Sequence, residues 1–195
     1  MKPALFVFVK APLMGKAKTR LAVGVGPVHA QRIYRAMCAK IFRQCVDPRW
    51  DTVLYVTPDA QIGSGYGGLW QEHMVQIAQK DGGLSARLAR MFALKGPIIA
   101  IGTDTPDIRI RDIALGFKHL KSRRAVFGPA EDGGFWLIGL NGPVQKNVFD
   151  NVRWSHPDTL ADMEAKITGS IAKLHTLTDV DDEAAYRAVT GRKLR

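Results

Sequence analysis

The sequence predicts one α/β domain spanning residues 1–195, built on a mainly parallel sheet covered by helices on both faces. Three observations lead there. Short apolar, β-branched runs alternate with segments of helical spacing ten or more residues long, the pattern of strands joined by crossover helices. A chain of 195 residues that is 46% hydrophobic and 24% charged has enough apolar material for a core and too little polarity for disorder. The most polar and glycine-rich loops, at 10–20, 102–107 and 128–134, each follow an apolar run. In open α/β sheets ligands bind off the carboxyl ends of the strands, so these three loops are expected to converge on one cleft.

Ala4–Val9 is a continuous apolar run ending at Lys-Ala-Pro, which reads as a central strand buried on both faces. Pro27 opens an amphipathic helix over 27–45, with Ile33, Met37, Ile41 and Cys45 at three-to-four spacing beside Tyr34 and Cys38. Thr52–Val56 is a second strand, and Ile62–Gly68 a glycine-rich loop. Met74–Ala78 is a shorter strand, and Leu84–Leu94 has helical spacing. Pro97–Ile101 is a buried strand, followed by a helix marked by Ile110, Ile113, Phe117 and Leu120. Ala125–Gly128 and Phe135–Leu140 are strands around the acidic loop Pro129–Gly134. The tail holds a helix near Pro157–Ile167, a strand at Lys173–Leu177, the acidic turn Asp179–Asp181 and a helix from Asp182.

The net charge is +10, and residues 1–50 hold ten Lys or Arg against one acid, Asp47. Such asymmetry points to an anionic partner, although Arg32, Arg35, Lys40 and Arg43 read as the solvated face of the first long helix. No apolar run approaches a membrane span, and no cleavable leader is visible, so a cytoplasmic protein is expected. Cys38 and Cys45, two helical turns apart, read as reduced core residues, and Trp50 and Trp70 as packing residues. The five histidines are scattered, and no serine or cysteine nucleophile has a motif around it.

Each of the three loops has a chemical reading and a plainer one. Lys10 to Leu21 contains Gly15, Lys16, Lys18 and Arg20; backbone N–H groups with Lys and Arg make a site for phosphate oxygens. The loop lacks the glycine spacing of a P-loop, and an ordinary basic surface loop has the same composition. In Gly102-Thr-Asp104-Thr-Pro106-Asp107, a carboxylate after a buried strand suits a divalent cation that bridges phosphates. Asp104 is assigned to chemistry, and Asp107 to capping the following helix. In Glu131-Asp132-Gly133-Gly134, two acids beside two glycines could add a metal ligand or meet an acceptor hydroxyl, and could equally make a tight turn.

Together, FVKAPLMGKAKTRL at 8–21, IGTDTPDI at 101–108, FGPAEDGGFWLIGL at 127–140, Val152-Arg-Trp154-Ser155 and Asp179-Val-Asp181 resemble the bacterial DUF2064 family. Its members look like small nucleotide-diphospho-sugar transferases of the glycosyltransferase A type, related to molybdenum-cofactor and phospholactate nucleotidyltransferases. The resemblance implies a Rossmann-like three-layer α/β/α fold with a mainly parallel mixed sheet, and a Mg or Mn cation. It implies a nucleotide or nucleotide-sugar donor and a small-molecule acceptor. Lys10, Gly15, Lys18 and Arg20 would bind phosphate, with Gly82 and Arg87 also on the nucleotide. Asp104 and Asp132, with Asp181, would hold the metal. Asp104, Asp132 and Lys18 would be catalytic, and Glu131, Gly133, Gly134 and Trp154 would face the acceptor.

The chain departs from the family pattern twice. Asp182-Glu183 stands where the C-terminal motif usually continues with Thr and a further Asp. Gly83, Ser85 and Ala86 replace the usual Asp, Gly and Glu in the 79–88 segment, while Gly82, Leu84 and Arg87 remain. Changed specificity and lost activity are both consistent with the second change. Glycosyl transfer from a nucleoside diphosphate sugar is the leading expectation and nucleotidyl transfer from a triphosphate the alternative. A non-catalytic nucleotide- or nucleic-acid-binding protein is a third, disfavoured because no zinc, aromatic or recognition-helix signature accompanies the basic residues.

Overall fold

The computed structural model describes residues 2–71, 74–142, 144 and 147–191. Along the chain run β1 (Ala4–Lys10), α1 (Thr19–Val25), α2 (Pro27–Cys45), β2 (Asp51–Thr57), β3 (Val75–Ala78), α3 (Leu84–Phe92), β4 (Ile98–Ile101) and α4 (Ile110–His119). There follow β5 (Ala125–Pro129), β6 (Phe135–Leu140), α5 (Thr159–Lys166), β7 (Ile171–Lys173) and α6 (Glu183–Thr190). The seven strands form one sheet in the order β3-β2-β1-β4-β6-β5-β7.

The first apolar run is central, lying parallel to β2 on one side and β4 on the other. Its alternation serves two cores. Leu5, Val7 and Val9 pack with Ile41 and Phe42 of α2 and Ile113 of α4, while Phe6 packs with Leu88 and Met91 of α3 and Met163 of α5. This is the expected three-layer arrangement with a mixed sheet. β6 is antiparallel to β4 and to β5, because the turn joining β5 to β6 is far too short for the crossover that parallel pairing needs. The reversal brings the start of β6 to the rim where β4 ends.

In α2 the buried stripe runs through Ala30, Tyr34, Met37, Cys38, Ile41, Phe42 and Cys45. Cys38 and Cys45 are buried free thiols, and Trp50 and Trp70 are buried in the core as expected.

Three expectations need correction. Residues 19–25, read partly as loop, form the short helix α1, whose N-cap Lys18 has φ 53° and makes no side-chain cap. Asp107 does not cap α4. It pairs with Lys40 at 2.9 Å, and Asp112 accepts the Arg109 N–H at 2.9 Å in its place. Both groups are half-exposed, so Lys40 stays on the solvated face expected of it. The last strand is Ile171–Lys173 rather than Lys173–Leu177; beyond it the chain keeps alongside β5 by single bonds from Leu174 N to the Phe127 carbonyl and Leu177 N to the Pro129 carbonyl. No helix among the described residues is long and apolar enough to cross a membrane.

Candidate active site

The site is built outward from the end of β1. The buried Tyr34 hydroxyl accepts the Lys10 N–H at 3.1 Å and donates to the Lys10 carbonyl at 2.8 Å. It also lies 3.1 Å from Thr103 Oγ1. One phenol on α2 therefore fixes the loop after β1 against the loop after β4. A turn closed by Lys16 N and the Leu13 carbonyl follows, with Gly15 at φ 69°.

Lys18 then adopts a left-handed conformation, φ 53° and ψ 48°, which costs a non-glycine residue roughly 1–2 kcal/mol. What the strain accompanies is an inward-turned ammonium. Lys18 Nζ is 2.7 Å from Asp104 Oδ1 and 2.8 Å from Asp181 Oδ1, and the Lys18 side chain is only 6% exposed. Arg20, on the first turn of α1, pairs with the other oxygen of Asp181.

These groups line a cleft of about 360 Å³ together with Phe8, Thr57, Gln79 and Arg87. Of the residues expected on sequence grounds, Lys10, Lys18, Arg20, Arg87, Asp104 and Asp181 meet there. Gly15 lies on the turn before it. Gly82 lies behind Arg87, its carbonyl accepting Arg87 Nε at 2.9 Å, while Arg87 Nη1 donates to Gln79 Oε1 at 2.7 Å.

Glu131, Asp132, Gly133, Gly134 and Trp154 are not among the residues lining the cleft. Residues 130–134 form the tight turn between β5 and β6, with Ala130 N bonded to the Gly134 carbonyl at 3.0 Å and Gly134 N to Asp132 Oδ1 at 2.9 Å. Gly133, at φ 86°, packs so closely on Pro157 that a Cβ would overlap its carbonyl. The glycine is explained by that contact rather than by a ligand on its backbone. Trp154 makes an edge contact with Phe135 and donates from Nε1 to Ser85 Oγ at 2.8 Å. Ser85, one of the residues departing from the family pattern, in turn donates to the Phe149 carbonyl at 2.7 Å and ties α3 to this segment.

The site is electrostatically tense. Burial alone would push the Lys18 ammonium down, but Asp104 and Asp181 outweigh it and hold it above the usual lysine value. Burial pushes Asp181 up, and Lys18 and Arg20 more than offset this, so it lies below the usual carboxylate range. Asp179, which accepts a hydrogen bond from Thr105, is pushed up to about 6 by burial and by the charges of Asp104, Asp132 and Asp181, against that opposing bond.

Among the described residues no three His, Cys, Asp or Glu side chains gather in metal-ligating geometry. The fit to a divalent cation rests on a smaller donor set. Asp104 and Asp181, 47% and 35% exposed, stand on the cleft wall around one shared cation, the Lys18 ammonium. Mg²⁺ is commonly held by one or two carboxylates, with water and substrate phosphates completing its shell. Asp104, which meets Lys18 through Oδ1, fits that requirement, while Asp181 already gives one oxygen to Lys18 and the other to Arg20.

Sequence reasoning missed Tyr34, Thr103, Thr105 and Gln79. Only Tyr34 carries a signal, that of a polar group in an apolar setting, which must find a partner; the burial of Thr103, Thr105 and Gln79 comes from the fold. Tyr34 sits within the apolar stripe of α2, and Gln79 is 3% exposed with its amide donating to the Tyr55 carbonyl at 2.6 Å.

The fold and the cleft at its strand ends define the nucleotide-diphospho-sugar transferase class of α/β structures. A candidate nucleotide-diphospho-sugar transferase from Desulfovibrio desulfuricans G20 superposes with a TM-score of 0.86 at 25% identity, over 96% of this chain and 86% of that one. More distant structures share the fold alone. CMP:2-keto-3-deoxy-manno-octonic acid synthetase complexed with CTP has a TM-score of 0.59 at 14% identity, over 97% and 98% of the two chains. Rv0371c from Mycobacterium tuberculosis H37Rv in complex with manganese has 0.55 at 13%, over 99% and 100%. No curated protein matches the chain. The protein belongs to the DUF2064 family, described as uncharacterized protein conserved in bacteria, whose model matches residues 41–156.

Proposed function

We propose that the chain is a nucleotide-utilising transferase and, more specifically, a glycosyltransferase acting on a nucleoside diphosphate sugar. The observation that carries this reading is the nearly buried Lys18 ammonium, flanked by Arg20, held between two aspartates at the carboxyl ends of a parallel sheet. In this reading the donor's phosphate oxygens take over the outward donors of Lys18 and Arg20, with Lys10 and Arg87 completing the cationic lining. These groups are fixed before the reaction, so they stabilise the charge that grows on the departing diphosphate without having to reorganise. Gln79 and the Gly82–Gly83 backbone border the nucleotide, Asp132 orients or deprotonates the acceptor, and Glu131, Gly134 and Trp154 stand on the acceptor side. A Mg²⁺ or Mn²⁺ ion held by Asp104 and Asp181, with Asp132 nearby, would neutralise further phosphate charge when bound.

A second reading is nucleotidyl transfer from a triphosphate to a phosphorylated acceptor. It is favoured by Asp104-Thr-Pro106, which offers one acid where many sugar transferases carry an Asp-x-Asp pair, and by the CTP held in a neighbour of the same fold.

Calorimetric titration with nucleoside triphosphates and nucleoside diphosphate sugars, with and without Mg²⁺ or Mn²⁺, tests both. Metal-dependent binding of a diphosphate sugar that is lost in Asp104→Ala and Lys18→Ala is the expected result. Preference for a triphosphate would favour nucleotidyl transfer, and no nucleotide binding would refute both.

A further inference from the structure

A second cavity, of about 150 Å³, adjoins the cleft, and Phe8 and Leu84 line both. It lies at the carboxyl end of β4, where Ala100 and Gly102 leave room, between Phe8 of β1 and Phe135 of β6 and against Leu88 of α3. The remaining lining side chains are Ile101, Trp136 and Ile138, and the Trp136 indole N–H already donates to the His175 carbonyl at 3.2 Å. No lining side chain therefore has a hydrogen-bonding group to offer. A polyhydroxylated ring placed there would give up its bonds to water without compensation. An apolar cavity of roughly this volume accepts a benzene-sized molecule.

The walls are held in place. Phe135 meets the Trp154 ring at 6.3 Å between centroids, and the Trp154–Ser85–Phe149 hydrogen bonds fasten that ring to α3. Nor is the space closed off from the chemistry, because a Cβ on Gly102 would stand 3.9 Å from Asp104 Oδ2. The basic groups Lys10, Lys18 and Arg20 come from the end of β1 and the loop and helix after it. The cavity extends from Asp104 toward β6, where the strand after the acidic turn begins.

We propose that this cavity receives an apolar ring or short branched chain of the acceptor, so that the acceptor is a hydroxyl-bearing hydrophobic small molecule. The proposal rests on the transferase reading above. In the transfer it implies, the acceptor oxygen bonds to the anomeric carbon of the donor sugar. The bond from that carbon to the diphosphate oxygen breaks with its electron pair on the released nucleoside diphosphate, and the hydroxyl proton passes to Asp132, the acceptor's base in that reading, and from it to water.

Benzyl alcohol, followed by saturation-transfer and intermolecular NOE measurements on the full chain, is the test. It binds the wild-type protein, with NOEs to Phe8 and Phe135 ring protons that need no variant to interpret, while glycerol gives no signal. Its affinity falls at least tenfold in Gly102→Val, where an added Cβ makes only ordinary contact, at 3.9 Å, with Asp104, and in Ala100→Val, both checked for a native melting transition. Saturating nucleoside diphosphate leaves it bound. No binding, NOEs elsewhere, or unchanged affinity in both folded variants would overturn the proposal. So would displacement by the nucleotide, which assigns the cavity to the donor. If benzyl alcohol binds as described but no nucleotide binds at all, the transferase reading fails and the acceptor assignment falls with it, while the apolar site stands.

Discussion

Lys18 Nζ lies 2.7 Å from Asp104 Oδ1, yet the lysine side chain is 6% exposed and the aspartate 47%. The cation is thus the interior member of the pair and the carboxylate the rim. Removing the ammonium leaves Asp104 without this counter-ion and Asp181 with Arg20 alone to offset its charge. Lys18→Met is expected to lose nucleotide binding at least tenfold. It should also lower stability by about 1.5–3 kcal/mol, the range for a hydrogen bond to a charged group, softened by the exposure of both aspartates. Calorimetry and urea unfolding read the two effects separately.

The glycines of the first and third loops answer to different constraints. Gly133 has both a left-handed φ and the Pro157 carbonyl against it, whereas a Cβ on Gly15 meets nothing within 4 Å. Gly133→Ala should cost about 3 kcal/mol or more from strain plus overlap, and Gly15→Ala about 1 kcal/mol from strain alone. Thermal melts of the two variants should differ accordingly, and equal melting temperatures would contradict the account of the turn.

Asp179 holds its proton up to about pH 6, above the ordinary aspartate range near 3.9 in an unfolded chain. The folded state therefore binds this proton more tightly, and stability falls as pH rises between these values. Asp179→Asn keeps an oxygen to accept from Thr105 and removes the charge. In chelator, it should raise the melting temperature at pH 7.5 and leave it nearly unchanged at pH 4.

Burial pushes the Cys38 thiol up to about 12 and the Cys45 thiol above its ordinary value as well. Thiolate is the reactive form. Neither residue should be alkylated by iodoacetamide at pH 8 in the native protein, and both should react in 6 M guanidinium. Mass spectrometry of native samples showing one adduct would disprove the burial described for that residue.

β1 to β6 were legible because each is a short, mostly apolar run closed by a turn residue, whereas the three-residue β7 was misplaced; the helices were legible because α2, α3 and α4 keep their buried residues at helical spacing. What periodicity cannot encode is direction. The antiparallel setting of β6 depends on the length of its connecting turn, and the resemblance, not the pattern, anticipated a mixed sheet. α1 escaped notice because TRLAVGV has a glycine, two valines and no capping side chain, so its helix is held by packing of Leu21 and contact with α2.

The site was legible where charge and glycine cluster within one loop, as at Lys18, Arg20 and Asp104. It was obscure where the partner is remote in sequence. Asp181 is 163 residues from Lys18, and its motif by itself is short. Asp107 looked like a cap since nothing nearby in sequence announces Lys40. Tyr34 read as core, which it is, while its hydroxyl also organises two loops.

The position of Asp181 separates holding the fold from holding a ligand. All seven strands end by Lys173, so the sheet does not draw on the segment that carries Asp179 and Asp181. Without that segment Lys18 has only Asp104 for company, and its burial is poorly compensated. A shortened domain can be folded and still unable to hold a ligand, and a fragment ending at Leu174 should keep the sheet but lack the complete cleft.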